Sequence, residues 1–226
     1  MPTTAPIEVL KSSMLFSGVS DEQAKAVARR CQIRRTAKGE LLFSQGDDSD
    51  SLYIVIEGSV IVSLLSEAGR EIIFHIAREG ESIGELALLD AEPRSATCTV
   101  RDPGALLVLR RSDFLSLLEE PEIARSILAV LCGVIRSSNA RSEFLALRPL
   151  RARVAHVLLA NAEGGPPGRV KLTQRELALM CGAARPRVNR VLKAFEAEEI
   201  ITKDGRVTVL SDPDGLESVA LEEGDE

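Results

Sequence analysis

Apolar positions change their spacing several times along this chain. Between residues 6 and 30 they read as short helices, and Val19-Ser20-Asp21-Glu22-Gln23 opens one, with Ser20 or Asp21 as its N-cap. From Gln32 to Leu109 short β-rich runs take over: LLFSQ, LYIVIEG, SVIVSLL, EIIFHIA, ATCTV and ALLVLRR. Glycines (Gly39, Gly46, Gly58, Gly69, Gly80, Gly84, Gly104) and the cluster DDSDS set them apart. Short strands at regular spacing predict a sandwich- or barrel-like β unit. Pro121 then opens a long helical run. Within it Ile127, Leu131, Val134, Ser138, Arg141 and Leu145 recur at spacings of four and three, a heptad-like seam interrupted at Ser138 and Arg141. Such a stripe either pairs with a second copy of the helix, which predicts a homodimer, or packs back on the β unit.

Arg148-Pro149 ends that run. RARVAHVLLANA is a further amphipathic helix and EGGPPG a loop. Thr173 and Glu176 then form a capping-box pattern for a helix running to about Met180. Cys181-Gly182-Ala183 makes a tight turn, and a second helix follows from about Arg185. Two helices across a Gly-bearing turn predict a helix-turn-helix. IITKDGRVTVL folds as a hairpin about Asp204-Gly205, a wing beside that pair. The tail DPDGLESVALEEGDE is expected to fray. The organisation is α+β, with a β unit over 1–120, a long helix over 121–147 and a winged helix-turn-helix with an acidic tail over 148–226.

Composition narrows the function. Apolar content of 45% and charged content of 27% are ordinary for globular chains. No eighteen-residue apolar run and no secretion-signal pattern occur, so no membrane role and a cytoplasmic location are expected. Cys31, Cys98, Cys132 and Cys181 are too scattered for a metal-ligand pattern and are expected to be buried thiols. No nucleophile–base pair is evident, so an enzyme is not expected.

Charge is unevenly placed within the net of −6. Residues 151–193 carry nine basic and two acidic residues, whereas residues 194–226 carry two basic and eleven acidic. A basic window inside an acidic chain suits a phosphate-binding surface. On the second helix of the pair Arg185, Arg187, Asn189, Arg190 and Lys193 cluster. Arginine can fork onto a guanine edge and asparagine onto an adenine edge, while other cations hold phosphates. Arg185, Asn189 and Arg190 are candidates for the bases, Arg187 and Lys193 for the backbone. Thr173, Gln174 and Arg175 at the start of the first helix join the candidate set.

The stretch IGELALLDAEPRSATCTV is similar to the phosphate-binding cassette of cyclic-nucleotide-binding β-rolls. Together with the downstream helix-turn-helix it makes residues 10 to 211 resemble the cyclic-AMP receptor (CRP/FNR) family of bacterial transcription regulators. Physically, Arg94 can neutralise a cyclic phosphate and fork onto its oxygens. Ser95 adds a hydroxyl donor, and Glu85 as an acceptor suits the ribose 2′-hydroxyl. Gly84 permits close approach, and the backbone at Leu86 and Ala87 offers N–H groups. The resemblance implies that Glu85 binds ribose, that Arg94 and Ser95 bind phosphate, and that Ser138 and Asn139 contact the base. It puts Val62 and Phe74 at pocket-wall positions, where plain strand core serves equally well. The effector it implies is cAMP or cGMP, with no other cofactor, and the partners are palindromic double-stranded DNA, a second copy of the chain and RNA polymerase. The chain departs from the family where the second helix reads Ala184-Arg185-Pro186, without an N-cap hydroxyl or the acidic residue that accepts from cytosine. A redox, haem or gas sensor on the same scaffold, with His75 on a predicted strand near the pocket as the haem ligand weighed, and a cyclic-nucleotide module acting by protein contact are the alternatives.

Overall fold

The computed structural model of the chain describes residues 4–16, 19–165 and 167–222. Contacts divide it into two units, Met1–Ile135 and Arg136–Glu226. In the first unit α1 (Thr4–Ser12) and a 3-10 turn (Met14–Phe16) precede α2 (Asp21–Arg30). Ser20 caps α2 in a capping box: its side chain accepts from Gln23 N, and Ser20 N donates to Gln23 Oε1. Then come β1 (Gln32–Thr36), β2 (Leu41–Phe43), β3 (Ser51–Leu65), β4 (Glu71–Ala77) and β5 (Ser82–Ile83). The unit continues with α3 (Leu86–Asp90), β6 (Thr97–Arg110), α4 (Arg111–Leu117) and the start of α5 (Pro121–Leu147). The sheet is antiparallel, ordered β1-β6-β3-β4, with β2 on β6 and β5 on β3.

Two of the glycine boundaries expected from sequence do not break strands. LYIVIEG and SVIVSLL form one strand, β3, and ATCTV and ALLVLRR form one strand, β6. The pair stays hydrogen-bonded through Gly58 by slipping register at Val55/Glu57, Glu57/Ser59 and Ser59/Val60. β3 also lacks a solvent face at its start. Leu52 and Ile54 join the helices α1, α2, α4 and α5 in one core, while Tyr53 and Val55 join Phe43, Val60, Cys98 and Leu106 in the interior of the roll. A strand buried on both sides reads as a continuous apolar run.

The seam of α5 takes the second of its two expected routes and packs back into its own unit. Ile127 is buried in the first unit's helical core, and Leu131 and Val134 pack against that core. The exposed stripe lies one position on: Leu128 and Ile135 are each 60% exposed, with Cys132, Asn139 and Ser142 exposed in the same four-three register. α5 has the length and apolar composition of a membrane-spanning helix, yet Ile123, Ile127 and Val130 commit its first half to protein core.

The second unit holds the end of α5, α6 (Leu150–Ala160), β7 (Ala162–Glu163), β8 (Arg169–Val170), α7 (Gln174–Met180), α8 (Arg185–Ala197), β9 (Ile201–Asp204) and β10 (Val207–Leu210). Its sheet is ordered β7-β8-β10-β9, the last two strands forming the wing across Gly205. The tail does not fray where sequence expected it to. Asp212 accepts from Gly215 N at 3.0 Å and caps α9 (Pro213–Ala220), which buries Leu216 and Val219. Residues 223–226 lie outside the described residues.

Candidate functional site

The cassette is built around a buried cation. Arg94 is 4% exposed. Its main chain is tied both ways to the turn before β3: Arg94 N donates to Asp47 O and Gly46 N donates to Arg94 O, each at 2.8 Å. Its guanidinium donates through Nη1 to Gly84 O at 2.9 Å and through Nη2 to Ser51 O at 2.5 Å. The Phe43 ring lies under it at 4.0 Å, and Tyr53 stacks on Phe43. Nε is buried with no acceptor. Burial pulls the Arg94 pKa below its ordinary value, while Tyr53, Cys98, Asp50 and Glu85 push it back up. Gly84, at φ +83°, is required by this packing: a Cβ there would stand 2.2 Å from Arg94 Nη1.

Glu85 does not form an ion pair with Arg94. Its Oε2 is buried with no hydrogen-bond partner, and burial raises its pKa against the weaker lowering by its own backbone and Arg94. Glu85 stands at the start of α3, which has no side-chain cap over the N–H groups of Leu86 and Ala87. Ser95 is exposed, next to the buried Arg94. Val62 packs on the cluster that holds Phe43, Tyr53 and Cys98, and Phe74 is half-buried on β4. Ser138 and Asn139 are exposed on α5, Asn139 in line with Leu128, Cys132 and Ile135. Phe43, Tyr53 and Ser51 were not foreseen as cassette residues. The phenylalanine just before Gly46 and the tyrosine opening LYIV were the available signals.

Burial pushes the thiols of Cys31, Cys98 and Cys181 up to about 12, which makes them inert, while Cys132 is exposed. His75 pairs through Nε2 with Glu81 at 3.0 Å, and His156 stacks on Phe144 at 5.0 Å. Among the described residues no group of three or more His, Cys, Asp or Glu side chains could hold a metal.

In the second unit, Thr173 caps α7 by accepting from Glu176 N at 3.1 Å, and the Glu176 side chain accepts from Thr173 N at 2.6 Å. α8 begins after Ala184, which gives no side-chain cap, and carries Pro186 in its first turn. A groove of about 570 Å³ runs between α7, α8 and the wing. Thr173, Gln174, Arg175, Arg185, Asn189 and Lys193 line it, joined by Lys203 and Arg206 of the wing. Gln174 Oε1 accepts from Arg185 Nε at 3.3 Å and Nη2 at 3.0 Å, fixing that guanidinium. Asn189 Oδ1 is buried without a donor. Arg187 and Arg190 are exposed elsewhere on α8. Lys203 and Arg206 were not singled out in the sequence, though the Asp204-Gly205 hairpin signal places both at the wing tip. Lys203 donates to Thr208 Oγ1 at 2.6 Å; burial lowers its pKa while Glu196 raises it.

Comparison with known proteins follows the same division. Residues 33–121 match the cyclic nucleotide-binding domain family, and residues 152–219 match the Crp-like helix-turn-helix domain family. The chain is 33% identical over 201 residues to the cyclic AMP receptor protein of Thermus thermophilus, covering 88% of this chain and 93% of that one. It is 31% identical over 218 residues to the CRP-like cAMP-activated global transcriptional regulator of Mycobacterium tuberculosis, covering 92% and 97%. Among solved structures, the catabolite activator protein of Thermus thermophilus matches with a TM-score of 0.54 at 31% identity, over 92% of this chain and 98% of that one. The c-di-GMP-responsive regulator CLP of Xanthomonas campestris matches in fold, with a TM-score of 0.75 at 22% identity over 84% and 99%.

Proposed function

The chain belongs to the cyclic-AMP receptor family of DNA-binding transcription regulators, a non-enzymatic family, and from that premise we propose that cAMP is its effector and that effector binding governs how it reads DNA. The observation that carries this is Arg94. A guanidinium at 4% exposure, held by two carbonyls and stacked on Phe43, is a buried positive charge without a carboxylate partner. Such a charge is costly to bury unless an anion completes it. A cyclic phosphate does so, with Ser95 adding a hydroxyl and Leu86 and Ala87 adding N–H groups. Gly84 makes the room that the Arg94 guanidinium occupies. Glu85, already desolvated and unpartnered at Oε2, takes the ribose hydroxyl. The relatives named above as cAMP receptors favour cAMP over cGMP.

The active species is a homodimer joined along the exposed α5 stripe of Leu128, Cys132 and Ile135. Asn139 continues that stripe and Ser138 lies beside it, so base recognition and subunit pairing share one side of the helix. Two copies of α8, a two-fold apart, then address a palindromic duplex. Arg185 and Asn189 face base edges, with Arg190 beside them; Lys193, Arg187 and Arg175 hold phosphates, and Thr173 and Gln174 contact the strand at the start of α7. RNA polymerase is the downstream partner, and the cytoplasm, where bacterial DNA lies, is the working compartment. Val62 and Phe74 wall the nucleotide pocket. Residues up to Ile135, including the first half of α5, serve as the sensor, and Arg136 onward, including its last turns, as the reader, with α5 (Pro121–Leu147) the pairing helix shared by both.

Isothermal titration of the full chain with cAMP and cGMP, alone and with a palindromic duplex, tests this. The expected result is a cAMP heat that disappears in Arg94→Leu, and duplex affinity that rises with cAMP by a factor in the range of about 5 to 150. Absence of any cyclic-nucleotide heat, with duplex binding indifferent to ligand, rules the proposal out.

A further inference from the structure

The end of α7 is closed by more than its own backbone. Gly182, at φ +59°, donates to Leu179 O at 3.3 Å, Ala183 N donates to Ala178 O at 3.0 Å and Cys181 N donates to Leu177 O at 2.9 Å. This Schellman closure occupies the carbonyls of Leu177, Ala178 and Leu179. The carbonyls of Met180 and Cys181 are left over at the negative end of the helix dipole. α7 has no basic residue in its last turn to meet them. Cations from two other helices do so: Arg141 on α5 donates through Nη2 to Met180 O, and Arg153 on α6 donates through Nη1 to Cys181 O at 2.7 Å. One turn beyond Arg141, Leu145 fills the space at Gly182, where a Cβ would stand 3.1 Å from Leu145 Cδ2.

Two guanidinium groups placed close together in a half-buried site repel each other. Burial lowers the pKa of Arg141; Cys181 opposes that shift and Arg153 adds to it. Arg153 Nε is buried without an acceptor. Apolar side chains would cover the turn without this repulsion. What the arginines add is direction, because a hydrogen bond specifies where a carbonyl sits and apolar contact does not. The held carbonyls lie only a few residues before Arg185, the first residue of α8.

We propose that Arg141 and Arg153 are positioning residues for DNA reading: they hold the turn of the helix-turn-helix by its carbonyls, so that α8 keeps a fixed register to the last turns of α5. Any movement of the end of α5 is thereby passed to the recognition helix through main-chain atoms. This rests on α8 being the DNA-reading helix.

The test uses the full chain with cAMP present and two fluorescent duplexes. One is a palindrome selected by the wild-type chain from a randomised pool, and the other is a scrambled duplex of the same length. Arg141→Met and Arg153→Met keep the side-chain stem and lose the donors. Each is expected to lower affinity for the selected duplex by roughly tenfold while changing scrambled binding by no more than about twofold, since the phosphate-facing cations remain. Arg141→Lys and Arg153→Lys, which restore one donor, recover part of the loss. Amide hydrogen exchange over residues 178–185 speeds up in the Met variants, and the cAMP titration heat does not change. An unchanged ratio between the two duplexes, or equal loss on both, overturns the proposal. If a Met variant fails to fold, the Lys variant is judged by the same ratio, and faster exchange at the turn with that ratio intact counts against the idea. Arg185→Ala separates the premise from the proposal. If it leaves the ratio unchanged, α8 does not read sequence; if it alone lowers the ratio, α8 reads but the two arginines do not position it.

Discussion

At the scale of single residues, the cassette places opposite charges close together without pairing them. Arg94 is satisfied by carbonyls, and Glu85 Oε2 is left without a donor. A carboxyl whose native pKa is raised by burial favours its protonated form in the folded chain. Below its unfolded value both states hold the proton and burial costs nothing; as pH rises through the native value, the folded chain must ionise a buried acid and loses stability. Glu85→Gln mimics the protonated acid. The ligand-free variant should therefore melt above the wild type at pH 7, with the gap closing as pH falls below the ordinary carboxyl value of 4.5. The same variant loses cAMP affinity. Equal melting temperatures at pH 7 would falsify the assignment of Glu85 as an unpartnered buried acid. Most of this cassette was legible in GELALLDAEPRSA, because residue chemistry there is local. Phe43 and Ser51 were not, because their part depends on Arg94 folding back across more than forty residues to reach Ser51 O.

At the scale of elements, α5 shows how periodicity finds an apolar stripe without naming what covers it. The seam through Ile127, Leu131 and Val134 is real, but the helical core of the first unit consumes it. The stripe beside it, Leu128, Cys132 and Ile135, is the one left exposed. Two apolar stripes one residue apart cannot be told apart by spacing alone, since each repeats at four and three. β1, QIRRT, was missed for a related reason: its exposed polar face hides a strand that is recognisable only through its register with Gly104–Val108. α9 was missed because the acidity of its segment outweighed the Asp212 cap. The helix-turn-helix and wing were legible, since a capping box, a glycine turn and an Asp-Gly hairpin are local signals. Replacing Leu128 and Ile135 with aspartate should yield a monomer by sedimentation without lowering helix content, as neither side chain belongs to the core. Affinity for a palindrome should then fall by about a hundredfold or more, because linked half-sites bind with an avidity that a monomer lacks. A dimer that persists in this variant means the pairing face lies elsewhere.

At the scale of the whole molecule, charge is sorted rather than spread. The net of −6 coexists with a groove lined by Arg175, Arg185, Lys193, Lys203 and Arg206. Residue-specific roles in that groove separate by salt. Lys193→Ala should weaken every duplex alike and reduce the slope of log affinity against log salt by about one, whereas Arg185→Ala should cost about 1–3 kcal/mol on the selected sequence and relax its specificity. Identical salt slopes for wild type and Lys193→Ala would remove that lysine from the phosphate-contacting set. The groove has a practical corollary at the chromatography bench. A protein of pI 5.2 binds an anion exchanger at neutral pH, yet its cationic groove will also hold heparin and cellular nucleic acid. Material eluted from the exchanger alone should carry bound nucleic acid and absorb strongly at 260 nm, and a high-salt heparin step should strip it. That makes the absorbance ratio of each preparation an inexpensive gauge of whether the cationic groove is free before any titration begins.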